Sequence, residues 1–296
     1  MKIERRKYAP NTDYERMRQF LLRLNRPYGE GFSMGPTSWE YQQTHSYSPW
    51  AKLVRNGIWE CYGEIVGAVF MEWQLGEAIF AVDPLYEQLK EEMLDYAEEH
   101  LSAPNADSEK QLTVIFVNQN DTVLRDLLKQ RNYTLTQTDW TGYYDLRRSI
   151  PQTTLPEGFS LIDLTQENDL EKIKQVCWRG FNHVGEPPAG VEKEILGQSG
   201  PHYDPYLKIV IKAPSGEYAA YCGMWYEPEI RNAYLEPLCT HPGYRKMGLA
   251  KAALYEAMRR TQQLGAITCE AGGQVFYEKV GFVPHHNNET WEKVFR

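Results

Sequence analysis

Residues Asn232–Gly265 read NAYLEPLCTHPGYRKMGLAKAALYEAMRRTQQLG, and this stretch decides the fold. Tyr234, Glu236, Leu238 and Thr240 alternate as on a strand, and Pro242 and Gly243 then break the pattern. An apolar stripe at helical spacing follows at Leu249, Ala253, Ala257, Met258 and Leu264, with Gly265 placed to cap the helix end. A strand therefore runs into a helix through a turn that is basic and made of small residues.

Such a turn suits an anion. The first four N–H groups of a helix have no intrahelical acceptor, and they carry the positive end of its dipole. Gly248 and Ala250 keep side-chain bulk away from that end, and Arg245 and Lys246 bring charge to it. The expected ligand is a pyrophosphate. Gly243 and Gly248 have P-loop spacing, but Leu249 and Ala250 stand where the lysine and the Ser or Thr belong, so a magnesium-nucleotide site is excluded. No G-x-G-x-x-G follows a strand, which excludes the dinucleotide fingerprint.

What remains, Arg245-x-x-Gly248-x-Ala250 after a strand and Pro242, resembles the acyl-CoA-binding motif of the GNAT acyltransferases, R/Q-x-x-G-x-G/A. Further on, Phe276-Tyr277-Glu278-Lys279-Val280-Gly281-Phe282 is similar to the same family's YEK-x-GF segment. The resemblance implies an α/β (α+β) fold, a mixed, bent sheet flanked by helices, with acyl-CoA lying where two central strands splay apart. Backbone groups around Leu238, Cys239 and Thr240 would hold the pantetheine arm and polarise the thioester carbonyl. The turn Arg245, Lys246, Met247, Gly248, Leu249, Ala250 would hold the pyrophosphate. The implied activity is an acetyl-CoA-dependent N-acetyltransferase acting on an amine of a small molecule or peptide. A non-catalytic acyl-CoA-binding sensor is the alternative.

Acyl transfer to an amine requires a base for the ammonium and an acid for the departing thiolate. By its place in the motif Tyr277 is the candidate acid, the alternative being a tyrosine that packs beside Phe276. Glu236, on the strand before the turn, is the candidate base; otherwise it pairs with a nearby Lys or Arg. Glu270, where many family members have Asn, is a second candidate base. Cys239 has no His beside it in sequence, and strand alternation turns it away from Glu236 and Thr240, so it reads as a buried small hydrophobe.

The chain repeats itself. Phe80–Tyr86 aligns with Leu238–Tyr244 at an offset of 158 (242 minus 84), 12–17 resembles 168–173, and 127–133 matches 276–282 in pattern. Two tandem GNAT-like domains are expected, 1–150 and 151–296, parted at SIPQTTLPEG (149–158). The first copy has lost the chemistry. Glu87, Lys90 and Glu92 occupy the places of Arg245, Gly248 and Ala250, and Leu128 that of Tyr277. It is expected to bind no CoA, its helix over 83–101 being an ordinary amphipathic one, and to serve as a wall of the acceptor pocket or as a subunit interface in a homodimer.

Composition agrees with a cytoplasmic enzyme. With 296 residues, 42% hydrophobic and 24% charged, the chain has the length of two domains and the balance of a globular protein. No run nears the roughly 18 apolar residues of a membrane span, and the first residues lack a signal's apolar core. A net charge of −8 argues against nucleic acid as a partner and mildly favours cationic small molecules. Five cysteines without C-x-x-C spacing indicate neither disulfides nor zinc, and His285 and His286, being adjacent, point to opposite faces of a strand, so no metal is expected. His183, Glu186, His202, Tyr203 and Asp204 lie in a polar stretch whose counterpart lines the acceptor site in the resembled family.

Overall fold

The computed structural model describes residues 2–25, 34–45, 50–104 and 110–295. By contacts the chain forms two compact units, one of Met1–Gln43, Tyr47–Thr141 and His285–Arg296, the other chiefly Gly142–Pro284. The sequence division at 150 differs from this contact division chiefly at two places: 142–150 group with the second unit, and 285–296 with the first.

The first unit holds β1 (Ile3–Lys7), α1 (Pro10–Asn25), α2 (Pro36–Thr44), β2 (Gly57–Cys61), β3 (Glu64–Phe70), β4 (Glu77–Val82), α3 (Lys90–His100), β5 (Ala103–Pro104), β6 (Gln111–Asn118), α4 (Thr122–Gln130) and most of β7 (Thr134–Asp145). Strand order is β1-β2-β3-β4-β6, then the chain's last strand, numbered β13 below. Its inner strands are buried on both faces, as the near-continuous apolar runs GIWEC, IVGAVF and AIFAV require. Trp59, Val69, Phe80 and Val82 pack on α3 and α4 residues Met93, Leu94 and Leu128, while Ile58, Ala68, Ile79 and Ala81 pack on Met17, Phe20, Leu21 and Trp39 of α1 and α2. The expected helix over 83–101 is a 3-10 turn, Pro84–Leu89, kinked at Tyr86, followed by α3.

The second unit repeats the order: β8 (Ser160–Asp163), α5 (Leu170–Gly180), α6 (Glu192–Gly197), β9 (Lys208–Lys212), β10 (Tyr218–Glu227), β11 (Asn232–Thr240), α7 (Leu249–Gln263), β12 (Thr268–Gly272) and α8 (Val275–Lys279), leading into β13 (Val283–Val294). Its sheet runs β12-β11-β10-β9-β8, parallel between β11 and β12 and antiparallel elsewhere. α5 packs on one face through Ile173 and Val176 against Val210, Tyr221 and Cys239. α7 lies along β9, β10 and β11 and buries Leu249, Ala252, Ala253, Leu254, Ala257 and Met258. Its stripe ends earlier than the spacing suggests: Leu264 is the C-cap and is 48% exposed, and Gly265, at φ +105°, turns the chain away. Mixed sheets flanked by helices are thus the architecture of both units.

Candidate active site

β11 and β12 pair over only three residues, Asn232–Tyr234 with Thr268–Glu270. Beyond Tyr234, β11 stays bonded to β10 as far as Thr240. One edge of residues 235–240 therefore has no ladder partner on β12, and the two parallel strands part there.

Glu236 stands at the start of this opening, on a deformed strand. Across from β11, Met224 pairs with Leu235 and Cys222 with Leu238, so Glu236 and Pro237 together oppose the single residue Gly223. This is a bulge, a position that tolerates a proline without an N–H. Gly223 makes it possible, because a Cβ there would lie 2.4 Å from the Glu236 carbonyl oxygen and 2.7 Å from Pro237 Cδ. The Trp225 indole N–H donates to the Glu236 carbonyl at 3.1 Å. Glu236 keeps partial access to solvent. Removal from water nevertheless disfavours its charged form and pushes the carboxyl up to about 7. No ion pair to Lys or Arg holds it, among the described residues, so the pairing alternative is not what the geometry gives.

Tyr277 is carried on α8, the short helix that follows β12. Its ring packs between Phe276 (5.4 Å) and Phe282 (5.5 Å) and is 9% exposed. Burial raises the phenol well above its ordinary pKa, and the nearby Glu236, Cys222 and Cys269 add to this. Glu236 and Tyr277 are thus electrostatic neighbours, one a carboxyl that gains a proton easily, the other a phenol that stays protonated.

At the far end of β11 the chain makes the expected turn. His241 Nδ1 accepts from the Gly243 N–H at 3.1 Å and Tyr244 donates to Glu217 at 2.8 Å, which fix the 3-10 turn Pro242–Tyr244. Lys246 (φ +65°) and Gly248 (φ +81°) are left-handed, after which α7 begins. Nothing lies within 4 Å of a Cβ built on Gly248, so its glycine answers to conformation rather than to bulk inside the protein. The N–H groups of α7's first turn face out of a bend bordered by exposed Lys246 and Lys251.

Arg245 sits differently from the sequence expectation. Its guanidinium donates to the Gly180 carbonyl at 2.8 Å, to Asn182 Oδ1 at 2.8 Å and to the Thr240 carbonyl at 3.3 Å. It ties the turn to the end of α5, while the backbone is left to face an anion.

The counterpart in the first unit is closed. β4 and β6 also pair over three residues and then part. There Asp83 accepts from the Leu85 N–H at 2.9 Å and caps the 3-10 turn, as His241 caps its counterpart in the second unit. Leu89 and Lys90 are right-handed, with no left-handed turn before α3. Lys90 is 6% exposed and bridges Asp121 (2.8 Å) and Glu87 (3.0 Å).

The other candidates lie as follows. Leu238 and Thr240 keep partial access, whereas Cys239 is buried, with its sulfur 4.0 Å from that of Cys177 on α5. Glu270 accepts from Asn232 (3.3 Å) and Tyr143 (3.5 Å), and burial raises its carboxyl despite them. His183 stacks on Trp178 at 4.5 Å, Glu186 pairs with Arg179 at 2.6 Å, Asp204 caps the Tyr206 N–H at 2.9 Å, and Tyr203 meets Trp225 edge-on at 5.7 Å. His202 is exposed. Burial, then His285, brings His286 down to about 4. Among the described residues no group of three or more His, Cys, Asp or Glu is arranged to hold a metal, and no helix is long and apolar enough to cross a membrane. Gly223, Trp225, Gly180 and Asn182 escaped sequence reasoning, since only pairing between distant segments brings them to the site.

Residues 168–282 match the model of the Acetyltransferase (GNAT) family. No curated protein matches the chain by sequence. Among solved structures it is similar to a GCN5-related N-acetyltransferase from Sphaerobacter thermophilus (16% identity, 99% of this chain and 96% of that one, TM-score 0.66). It is also similar to a tandem GNAT protein from the clavulanic acid biosynthesis pathway (12%, 99% and 98%, TM-score 0.64). A third, Saccharomyces cerevisiae N-myristoyltransferase with bound myristoyl-CoA, aligns at 11% identity over 100% of this chain and 80% of that one, TM-score 0.62. The chain thus has the fold of these GNAT structures over its whole length, and residues 168–282, within the second unit, match the GNAT acetyltransferase family model.

Proposed function

We propose that the protein is an acetyl-CoA-dependent N-acetyltransferase whose acceptor is an amine of a small molecule or peptide, with one active site per chain, in the second unit. The supporting observation is that Glu236 stands where β11 and β12 part, with Tyr277 near enough to feel its charge. Glu236, with a carboxyl near 7, takes the proton from the acceptor ammonium, directly or through one water. The amine nitrogen then bonds to the thioester carbonyl carbon. Backbone groups at Leu238–Thr240, on the strand edge that β12 leaves unpaired, face the carbonyl oxygen as charge develops on it. The carbon–sulfur bond breaks, and Tyr277 gives its proton to the leaving sulfur. The backbone of Lys246–Ala250 receives the pyrophosphate, Arg245 keeping that bend on α5. The first unit, with Glu87, Lys90 and Glu92 in the cradle positions and Lys90 paired with Asp121 and Glu87, binds no CoA and is structural. We place the protein in the cytosol.

Thiol release from acetyl-CoA against polyamines, aminoglycosides, amino acids and peptides, with calorimetric stoichiometry, tests this reading. Turnover with one acceptor class and one acetyl-CoA per chain supports it. One-to-one binding without turnover on any amine favours the sensor alternative. Two sites per chain refute the closed first copy.

A further inference from the structure

The second unit buries a lysine that the transfer steps above leave unused. Lys208, on β9, is 1% exposed. Its ammonium donates to the Met224 carbonyl at 2.7 Å and lies 3.9 Å from the centroid of the Trp225 ring and 4.7 Å from that of Tyr203. Taking an ammonium out of water is expensive, and such a charge persists only where fixed partners hold it. The carbonyl and the two ring faces named here each serve a cation.

The partners lead to the candidate base. Lys208 is the β9 residue paired with Gly223, at the point where β10 faces the bulged Glu236–Pro237 step. Met224 and Trp225 are the next two residues. Trp225, held under the ammonium, spends its indole N–H on the Glu236 carbonyl at 3.1 Å. Cys222, on the other side of Gly223, has its thiol pushed up chiefly by burial, and it senses both charges, Lys208 opposing the rise and Glu236 adding to it. A contiguous set of contacts thus runs from the ammonium through Met224 and Trp225 to the backbone of Glu236.

We propose that Lys208 is a positioning residue for Glu236. Its ammonium fixes the carbonyl of Met224 and the plane of Trp225, and the indole N–H in turn fixes the backbone of the bulge from which the Glu236 carboxylate reaches the acceptor amine. This rests on the reading of Glu236 as the base. Because bulges bend and re-aim a strand locally, releasing one anchor moves the carboxylate more than it moves the sheet. A misplacement of about 1 Å is enough to slow transfer by about 100-fold.

The test uses the full chain with acetyl-CoA and the amine that gives most thiol release, or water as acceptor where no amine does. Lys208→Met and Trp225→Phe are each expected to lower kcat by about 10- to 100-fold, with KM for acetyl-CoA unchanged. The double variant is expected to be no slower than the slower single one, since both act through one set of contacts. Exchange of the Trp225 indole hydrogen, followed by NMR, is expected to quicken at least about tenfold in Lys208→Met as the Glu236 contact loosens. Folded variants with full turnover, or losses that multiply in the double variant, overturn the proposal. If Lys208→Met does not fold, Trp225→Phe, which keeps an aromatic ring but loses the indole N–H and the five-membered ring that carries it, carries the test on the same terms. Glu236→Gln separates the two readings. Full turnover in Glu236→Gln removes the base assignment itself, whereas a silent Glu236→Gln beside fully active Lys208→Met and Trp225→Phe overturns only the role of Lys208.

Discussion

Glu236→Gln should make this protein more stable, and less active, above neutral pH. Burial lifts the folded-state carboxyl from its ordinary 4.5 to about 7. Below the lower value the side chain is protonated whether the chain is folded or not, so glutamine and glutamic acid should be nearly equivalent there. As pH rises from 4.5 to 7 the unfolded chain gives up this proton first, which favours unfolding. Above 7 the folded state carries the whole penalty. A shift of about 2.5 units corresponds to about 3.4 kcal/mol, and partial solvent access discounts this to about 2 to 3 kcal/mol. Urea unfolding of both proteins from pH 4 to 8 measures the difference, in which titrations common to both cancel. The expected curve is flat near pH 4, climbs between 4.5 and 7 in favour of the variant, and levels off. A difference that does not vary with pH would refute the account of Glu236 as a desolvated carboxyl. The same pKa sets the rate: kcat/KM of the wild type should fall about tenfold per pH unit below 7 and be level above it. The variant should lose about 10²- to 10⁴-fold.

Tyr277→Phe removes one hydroxyl from a packed ring, so acetyl-CoA affinity should hold while turnover falls about 10²-fold; single-turnover kinetics that remain near wild type would make Tyr277 a packing residue. Gly248→Ala meets open space but a φ of +81°, so it should cost about 1 kcal/mol of stability and weaken acetyl-CoA by more than that cost, read by calorimetry beside a melting curve. Arg245→Glu would set a carboxylate against the Gly180 carbonyl and free the turn, with an expected loss of ~2 to 4 kcal/mol in acetyl-CoA affinity; unchanged affinity in a folded variant would discard the phosphate-cradle assignment. Ending the chain at Pro284 should loosen the first unit rather than the second, because Trp291 packs among Trp59 and Phe80 there; hydrogen exchange at Leu112–Asn118 reports it, and protected amides would contradict it.

What the sequence disclosed was local. The turn at 245–250 was legible because helix-start chemistry is written in consecutive residues, and the left-handed Gly248 fulfils it. Glu236 was legible as a residue on a strand near that turn, but alternation across Glu236, Leu238 and Thr240 did not show the bulge, which depends on Gly223 in another strand. The partner of Arg245 was hidden for a similar reason: a guanidinium beside a helix start suits phosphate, and only the packing of α5 supplies the Gly180 carbonyl that takes it first. The place of 285–296 in the first unit was equally out of reach, since the sequence of a strand fixes its faces and not its neighbour.

The two copies share one backbone plan and differ in what meets an anion. In both, parallel strands pair for three residues and part. In the first copy Glu87 and Glu92 stand where the second has Arg245 and Ala250, and the buried Lys90 is held by Asp121 and Glu87, so the bend is acidic and its one lysine is already paired. An incoming phosphate would meet these carboxylates, and drawing Lys90 to itself would leave Asp121 and Glu87 unpaired. In the second copy the corresponding stretch has no acidic residue between His241 and Lys251, and its one arginine is turned onto a carbonyl. The helix start is left with unpaired N–H groups and nearby lysines. Fold alone therefore does not make the site; the removal of internal counter-charges from the same bend does.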